Sequence, residues 1–148
     1  MLKGPIRIKK VREQAVIPTY GTEYSAGADI YSCIPEPIHL APGKTVLIPT
    51  GIAMEIPTGY VGLVYARSSL AVKRGLTPAN KVSVIDSDYR GELMVPILNH
   101  SGTEQVIEPA ERIAQMIFTP YYMACFEETD TLEDTNRGAG GFGSTGKF

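Results

Sequence analysis

Glycine and proline punctuate this chain at intervals too short for most helices. Fifteen glycines and eleven prolines occur in 148 residues, and they recur steadily from Gly4 to Pro120. Proline removes a helical hydrogen bond and glycine weakens a helix interior, so few windows can hold a long helix. Between the breaks lie short runs rich in Val, Ile, Tyr and Thr, at 6–11, 44–48, 51–56, 60–65, 81–85, 92–98, 105–107, 112–119 and 125–127. These read as strands. Many short strands joined by Gly/Pro turns predict an all-β fold, most naturally an antiparallel jelly roll. One short helix is predicted over 68–73, with Ser68 as its N-cap and Gly75 as its end.

The length suits one domain with a real core. The longest apolar run, 121–126, has six residues, whereas a membrane-spanning helix needs about 20. The N-terminus MLKGPIRIKK is basic but has no apolar stretch behind it, so nothing marks it for export and a cytoplasmic protein is expected. Cys33 and Cys125 lack CxxC or His spacing, which argues against a disulfide framework and a structural zinc site; both are expected to be small buried side chains. Fourteen basic against sixteen acidic residues leave no electrostatic footprint for duplex nucleic acid. An anionic ligand must therefore meet a local basic cluster. The last residues, RGAGGFGSTGKF, hold five glycines and no periodicity, and read as a flexible tail, 137–148, beyond a domain of 1–136.

Five stretches could carry chemistry, although each taken singly has an ordinary explanation. In AGADIYS, Asp29 sits in a strand-like run where aspartate is disfavoured. In YARSSLAVKRG, Arg67, Ser68 and Ser69 fall at a strand-to-helix junction, where free N–H groups and a guanidinium suit a phosphate. In NKVSVIDSDYRGE, a strand carrying Asn80 is expected to turn at Asp86–Gly91 and return as a second strand through Glu92, a hairpin. Asn80 offers an acceptor and donors for an amide-like edge, Tyr89 a flat face, and Asp86 a carboxylate placed to deprotonate water. In RIAQMIF, Gln115 interrupts a strand that otherwise alternates into the core. In the tail, Arg137, Ser144 and Thr145 favour phosphate and Phe142 can stack among glycines that allow close approach.

These five stretches, in this order, resemble the five motifs of the trimeric dUTP pyrophosphatase (dUTPase) family, most specifically through ARSS, VIDSDYRGE, RIAQM and RG..GFGSTG. The resemblance implies a jelly roll of β-clip type, a homotrimer with shared active sites, and hydrolysis of dUTP to dUMP and pyrophosphate by water attack on the α-phosphorus. That activity keeps uracil out of DNA and supplies dUMP for thymidylate synthesis. By the same resemblance, Asp86 is the general base, Tyr89 the ring that rejects a 2′-hydroxyl, and Asn80, with hairpin backbone including Val84, the reader of uracil. Arg67, Ser68, Ser69 and Gln115 are phosphate contacts, with Arg67 and Gln115 in the catalytic set. Arg137, Gly143, Ser144 and Thr145 are tail ligands, with Phe142 stacking on the base. Asp29 stands near the water shell of a Mg²⁺ held mainly by the substrate's phosphates. Neither nucleic acid nor membrane is an expected partner.

Two positions depart from the family pattern. Ser83 stands where glycine is usual in the base-pocket hairpin, and Ala28 where a larger residue is frequent. The related dCTP deaminases carry a glutamate on the strand after that hairpin, but here the strand reads LMVPIL without a carboxylate, which disfavours deamination. A catalytically silent jelly-roll binding or capsid-like module has no reason to keep Asp86, Tyr89 and the tail together, whereas a regulatory dUTP-binding protein could.

Overall fold

The computed structural model describes residues 4–141 and is all-β with one short helix. Its strands, in chain order, are β1 (Arg7–Lys10), β2 (Thr19–Tyr20), β3 (Ala28–Tyr31), β4 (Ile38–Leu40), β5 (Thr45–Pro49) and β6 (Ile52–Glu55). They continue with β7 (Tyr60–Tyr65), β8 (Leu76–Pro78), β9 (Ser83–Ile85), β10 (Met94–Asn99), β11 (Gln105–Ile107) and β12 (Arg112–Pro120), with helix α1 (Ser68–Arg74) between β7 and β8. The largest sheet has the order β2-β3-β12-β7-β9; a second has β5-β10-β8, and β1-β6 and β11-β4 pair separately. All these pairings are antiparallel. The sheets close on one core that joins Ile30, Ile48, Ile52, Val64, Val95, Ile97, Ile113 and Met116, the sandwich of a jelly roll.

Strand β10 shows how the sequence writes this layering. Alternate residues Val95, Ile97 and Asn99 point inward and are fully buried. Asn99 is tolerated there because its amide donates to the carbonyls of Leu40 and Thr103, both at 2.8 Å, and its Oδ1 accepts from Ser101. Gly51 turns β5 into β6 at φ 71°, and a Cβ built on it would lie 2.7 Å from both Ala15 Cβ and Cys33 Sγ. Only glycine fits that corner.

Most strands fall where the residue pattern puts them, with β7 and β11 matching to the residue. The departures have physical reasons. The hairpin expected over 80–92 does not form: β9 pairs with β7, whereas β10 pairs with β5 and β8. The chain between them is drawn away because Leu93 N–H donates to Ile52 O at 2.8 Å, and Glu92 binds Arg12 and the Gly51 N–H. Residues 125–127 form no strand, since the chain leaves β12 at Pro120 and runs along no sheet edge of its own. Cys125 is therefore exposed, against expectation, while Cys33 is buried as expected. Ser68 is the first helical residue rather than the N-cap; Arg67 occupies the cap in extended conformation, with no side-chain cap bond, and Gly75 ends the helix at φ 64°.

Candidate active site

The site is built on the five-stranded sheet. Asp29 of β3, Gln115 of β12 and Tyr65 of β7 lie directly opposite one another across three strands, so their side chains share one face. Arg67 follows β7, two residues past its end, just before α1 begins. Its Nε donates to Asp29 Oδ1 at 2.8 Å, and Arg112 Nη1 donates to Asp29 Oδ2 at 3.2 Å. A buried carboxylate is stable there because both its oxygens meet guanidinium donors. Gln115 Nε2 donates to Ala66 O at 2.9 Å, which fixes the carboxamide beneath the junction. Gly27 makes room for it: a Cβ at that position would stand 2.5 Å from Gln115 Oε1.

These groups line a cleft of about 410 Å³ together with Ser68, Ser69, Gly21, Ser25, Ala26 and Gly27. Arg67, Ser68, Ser69, Gln115 and Asp29, which the sequence singles out, thus come together. The charged lining is two arginines against one aspartate, a local positive excess on an otherwise acidic chain. Sequence reasoning passed over Arg112, Ser25 and Gly27. Arg112 stands inside the RIAQM run, but simple alternation from Gln115 puts it on the core face.

Asn80, Val84, Asp86 and Tyr89 are not in this cleft. They belong to the segment around β9, at the free edge of the sheet. Asn80 sits in a turn, with its amide donating to Ser83 Oγ at 2.9 Å. Val84 and Asp86 are exposed. Tyr89 is held by its own N–H to Asp86 O at 3.2 Å and by its hydroxyl to Glu92 O at 3.0 Å, with the ring folded over Gly91. Arg137 also lies elsewhere, exposed in a small turn where its Nε donates to Gly140 O at 2.9 Å. Phe142, Gly143, Ser144 and Thr145 lie outside the described residues.

A metal finds no protein cage here. Among the described residues no three His, Cys, Asp or Glu side chains converge, and the cleft's one carboxylate is engaged by both arginines. Such a donor set suits a hard cation that keeps its own waters and is held by a ligand's oxygens.

Guanidiniums, serine hydroxyls and a carboxamide gathered around one cleft of a β-sandwich form a donor set whose chemistry suits an oxyanion. The sequence profile of the dUTPase family matches residues 13–146, and the chain belongs to that family. A deoxyuridine 5′-triphosphate nucleotidohydrolase from Nautilia profundicola is 47% identical over 142 residues, covering 96% of this chain and 99% of that protein. One from Paraburkholderia xenovorans is 44% identical over 147 residues, covering 99% of each. The solved structure of Staphylococcus bacteriophage 80alpha dUTPase with dUPNHPP superposes with a TM-score of 0.84 at 27% identity, covering 97% of this chain and 99% of that one.

Proposed function

We propose that this protein hydrolyses dUTP to dUMP and pyrophosphate, by attack of water on the α-phosphorus, and that it does so in the cytoplasm. The observation that carries the reading is the cleft in which Arg67, Ser68, Ser69 and Gln115 converge, in a chain of the dUTPase family. Cleavage between the α and β phosphates develops charge on departing pyrophosphate, so fixed donors aimed there stabilise the transition state. Arg67 supplies a guanidinium already oriented by Asp29, and Ser68, Ser69 and Gln115 add neutral donors. Asp86 is assigned as the base that takes the proton from water, Tyr89 as the ring under the deoxyribose, and Asn80 with the Val84 backbone as reader of the uracil edge. Arg137, Ser144, Thr145, Gly143 and Phe142 are assigned to a lid over the phosphates and base. Bound through the substrate's own phosphate oxygens, Mg²⁺ would neutralise part of the triphosphate's charge. Asp29 has acceptor capacity beyond its two arginine bonds for one of the metal's waters.

The active form is a homotrimer with shared sites, and two observations support this. In the β7/β9 ladder Ile85 lies opposite Gly62, which sets Asp86 level with Val61, six residues before Arg67. That is a backbone separation of roughly 20 Å at about 3.3 Å per residue, which favours a site that takes Asp86 and Arg67 from different copies. The second observation is the exposed arm after β12. Tyr122, Met123 and Phe126 are each at least 78% exposed, an apolar stretch that a second copy would cover.

The test is incubation with each deoxynucleoside triphosphate and with UTP in the presence of Mg²⁺, following monophosphate and pyrophosphate. Release of dUMP and pyrophosphate from dUTP, with little turnover of dCTP, dTTP or UTP, is expected. Ammonia from dCTP would reassign the protein to deamination, and binding without turnover would make it a silent module.

A further inference from the structure

The bulge in β12 gives the cleft a second arginine. Across the β12/β3 ladder, Arg112 lies opposite Tyr31 and Ala114 opposite Ile30, so β12 advances two residues where β3 advances one. Ile113 is the extra residue, and it and Ala114 are both buried although adjacent in sequence. Without the bulge, alternation from Gln115 would send Arg112 into the core. With it, Arg112 shares the face of Tyr31, Asp29 and Gln115 and lines the cleft. A bulge of this kind re-aims a side chain at the cost of local sheet pairing.

Of the two arginines on Asp29, Arg112 is the more loosely engaged. Arg67 meets the carboxylate with a 2.8 Å bond, and the Arg67 side chain is only 21% exposed. The Arg112 bond is longer, 3.2 Å, and its side chain is 51% exposed. A guanidinium has five N–H donors, so most of those on Arg112 stay available to the cleft.

We propose that Arg112 is a second phosphate-binding arginine, aimed by the bulge and held ready on Asp29, which thereby orients both guanidiniums. This rests on reading the cleft as the triphosphate half of a dUTP site. Arg112 forms direct charge-assisted hydrogen bonds to the phosphate chain, beside those of Arg67.

The experiment measures binding of inorganic pyrophosphate, of an α,β-imido analogue of dUTP, and of deoxyuridine as a phosphate-free control. It uses the full chain as wild type, Arg112→Gln and Arg112→Met, with melting curves to establish folding. Two neutral replacements are used so that misfolding of one leaves the other to decide. Loss of one charge-assisted contact predicts pyrophosphate and analogue affinities lower by about tenfold or more, with deoxyuridine binding unchanged. Unchanged pyrophosphate and analogue binding in a folded variant overturns the proposal. A second arm repeats Arg112→Gln in an Asp29→Asn background: a further loss of affinity supports direct contact, whereas no further loss means that Arg112 acts only through Asp29 and overturns its role as a ligand. Wild-type turnover of dUTP is followed in parallel. If it is absent while pyrophosphate binding still depends on Arg112, the dUTPase reading fails and the arginine's role stands.

Discussion

Asp86 stands on a turn whose shape is fixed by its own neighbours, through the Tyr89 N–H and the Tyr89 ring packed over Gly91. Asp86→Asn keeps that shape and removes the base, so kcat is expected to fall by about two decades or more while affinity for an imido analogue changes little. Near-normal kcat in single-turnover assays would assign the base elsewhere. Ser83, unusual for the family, is buried and its hydroxyl meets both polar ends of the Asn80 amide, at 2.9 and 3.2 Å. Ser83→Ala removes this tether, and KM for dUTP is expected to rise by about two- to tenfold, the range of one neutral hydrogen bond, with kcat nearly unchanged. A steady-state titration that finds KM unaltered would remove Ser83 from the site. At this scale the sequence was informative wherever a residue contradicted its local setting, as Asp29 does in a strand and Gln115 in a core run. Arg112 escaped notice because a bulge changes which face a residue occupies without leaving a mark in the order of side chains.

Most strands were legible from their β-branched runs and Gly/Pro borders, but the short β2, β4 and β8 were not. Where they pair was less so. The expected hairpin at 80–92 failed on a single long-range clamp, in which Arg12 grips Glu92 with bonds of 2.7 and 3.0 Å while Glu92 accepts the Gly51 N–H at 2.8 Å. No local pattern announces a partner eighty residues away. The Arg12 guanidinium and the Gly51 N–H hold the Glu92 carboxyl below its ordinary range, with the Arg12 hydrogen bond the larger cause. Because the folded value is the lower one, the clamp's stabilisation is present above the ordinary glutamate pKa and is lost as pH falls through the folded value. Glu92→Gln is thus expected to lower Tm near neutral pH, with the gap to wild type narrowing as the pH falls below the ordinary glutamate range; a gap constant with pH in melting curves contradicts this. Gly51→Ala adds a Cβ into Ala15 and Cys33 at positive φ, and should cost about 2 kcal/mol or more in a denaturant titration.

For the whole molecule, the separation of Asp86 from Arg67 and the bare apolar arm lead to two expectations about assembly. Phe126, 95% exposed in one chain, should be buried between copies, so Phe126→Glu is expected to shift sedimentation from trimer toward monomer and to lower activity together with it. A monomer that keeps full activity would reject shared sites. Truncation after Asn136 should leave Tm nearly unchanged but reduce kcat/KM by orders of magnitude, because residues 137–141, the described part of the removed segment, belong to no strand. Mixing truncated chains with Asp86→Asn chains should restore activity in proportion to mixed trimers, and absence of recovery would mean that each tail serves its own chain's base. Oligomeric order was not written in the sequence as a periodic seam; only the resemblance suggested it. The place of β12 has another consequence, for the order in which the protein comes into being. It lies between β3 and β7 in the sheet but follows every other strand in the chain. On the ribosome, β3 and β7 cannot be joined in one sheet until residues 112–120 emerge. Arg67 cannot acquire its lining partners Gln115 and Arg112 before that moment, so no nascent fragment presents the cleft. Such late, long-range closure belongs to slow-folding β topologies, and it makes the arrival of β12 the step that creates the site.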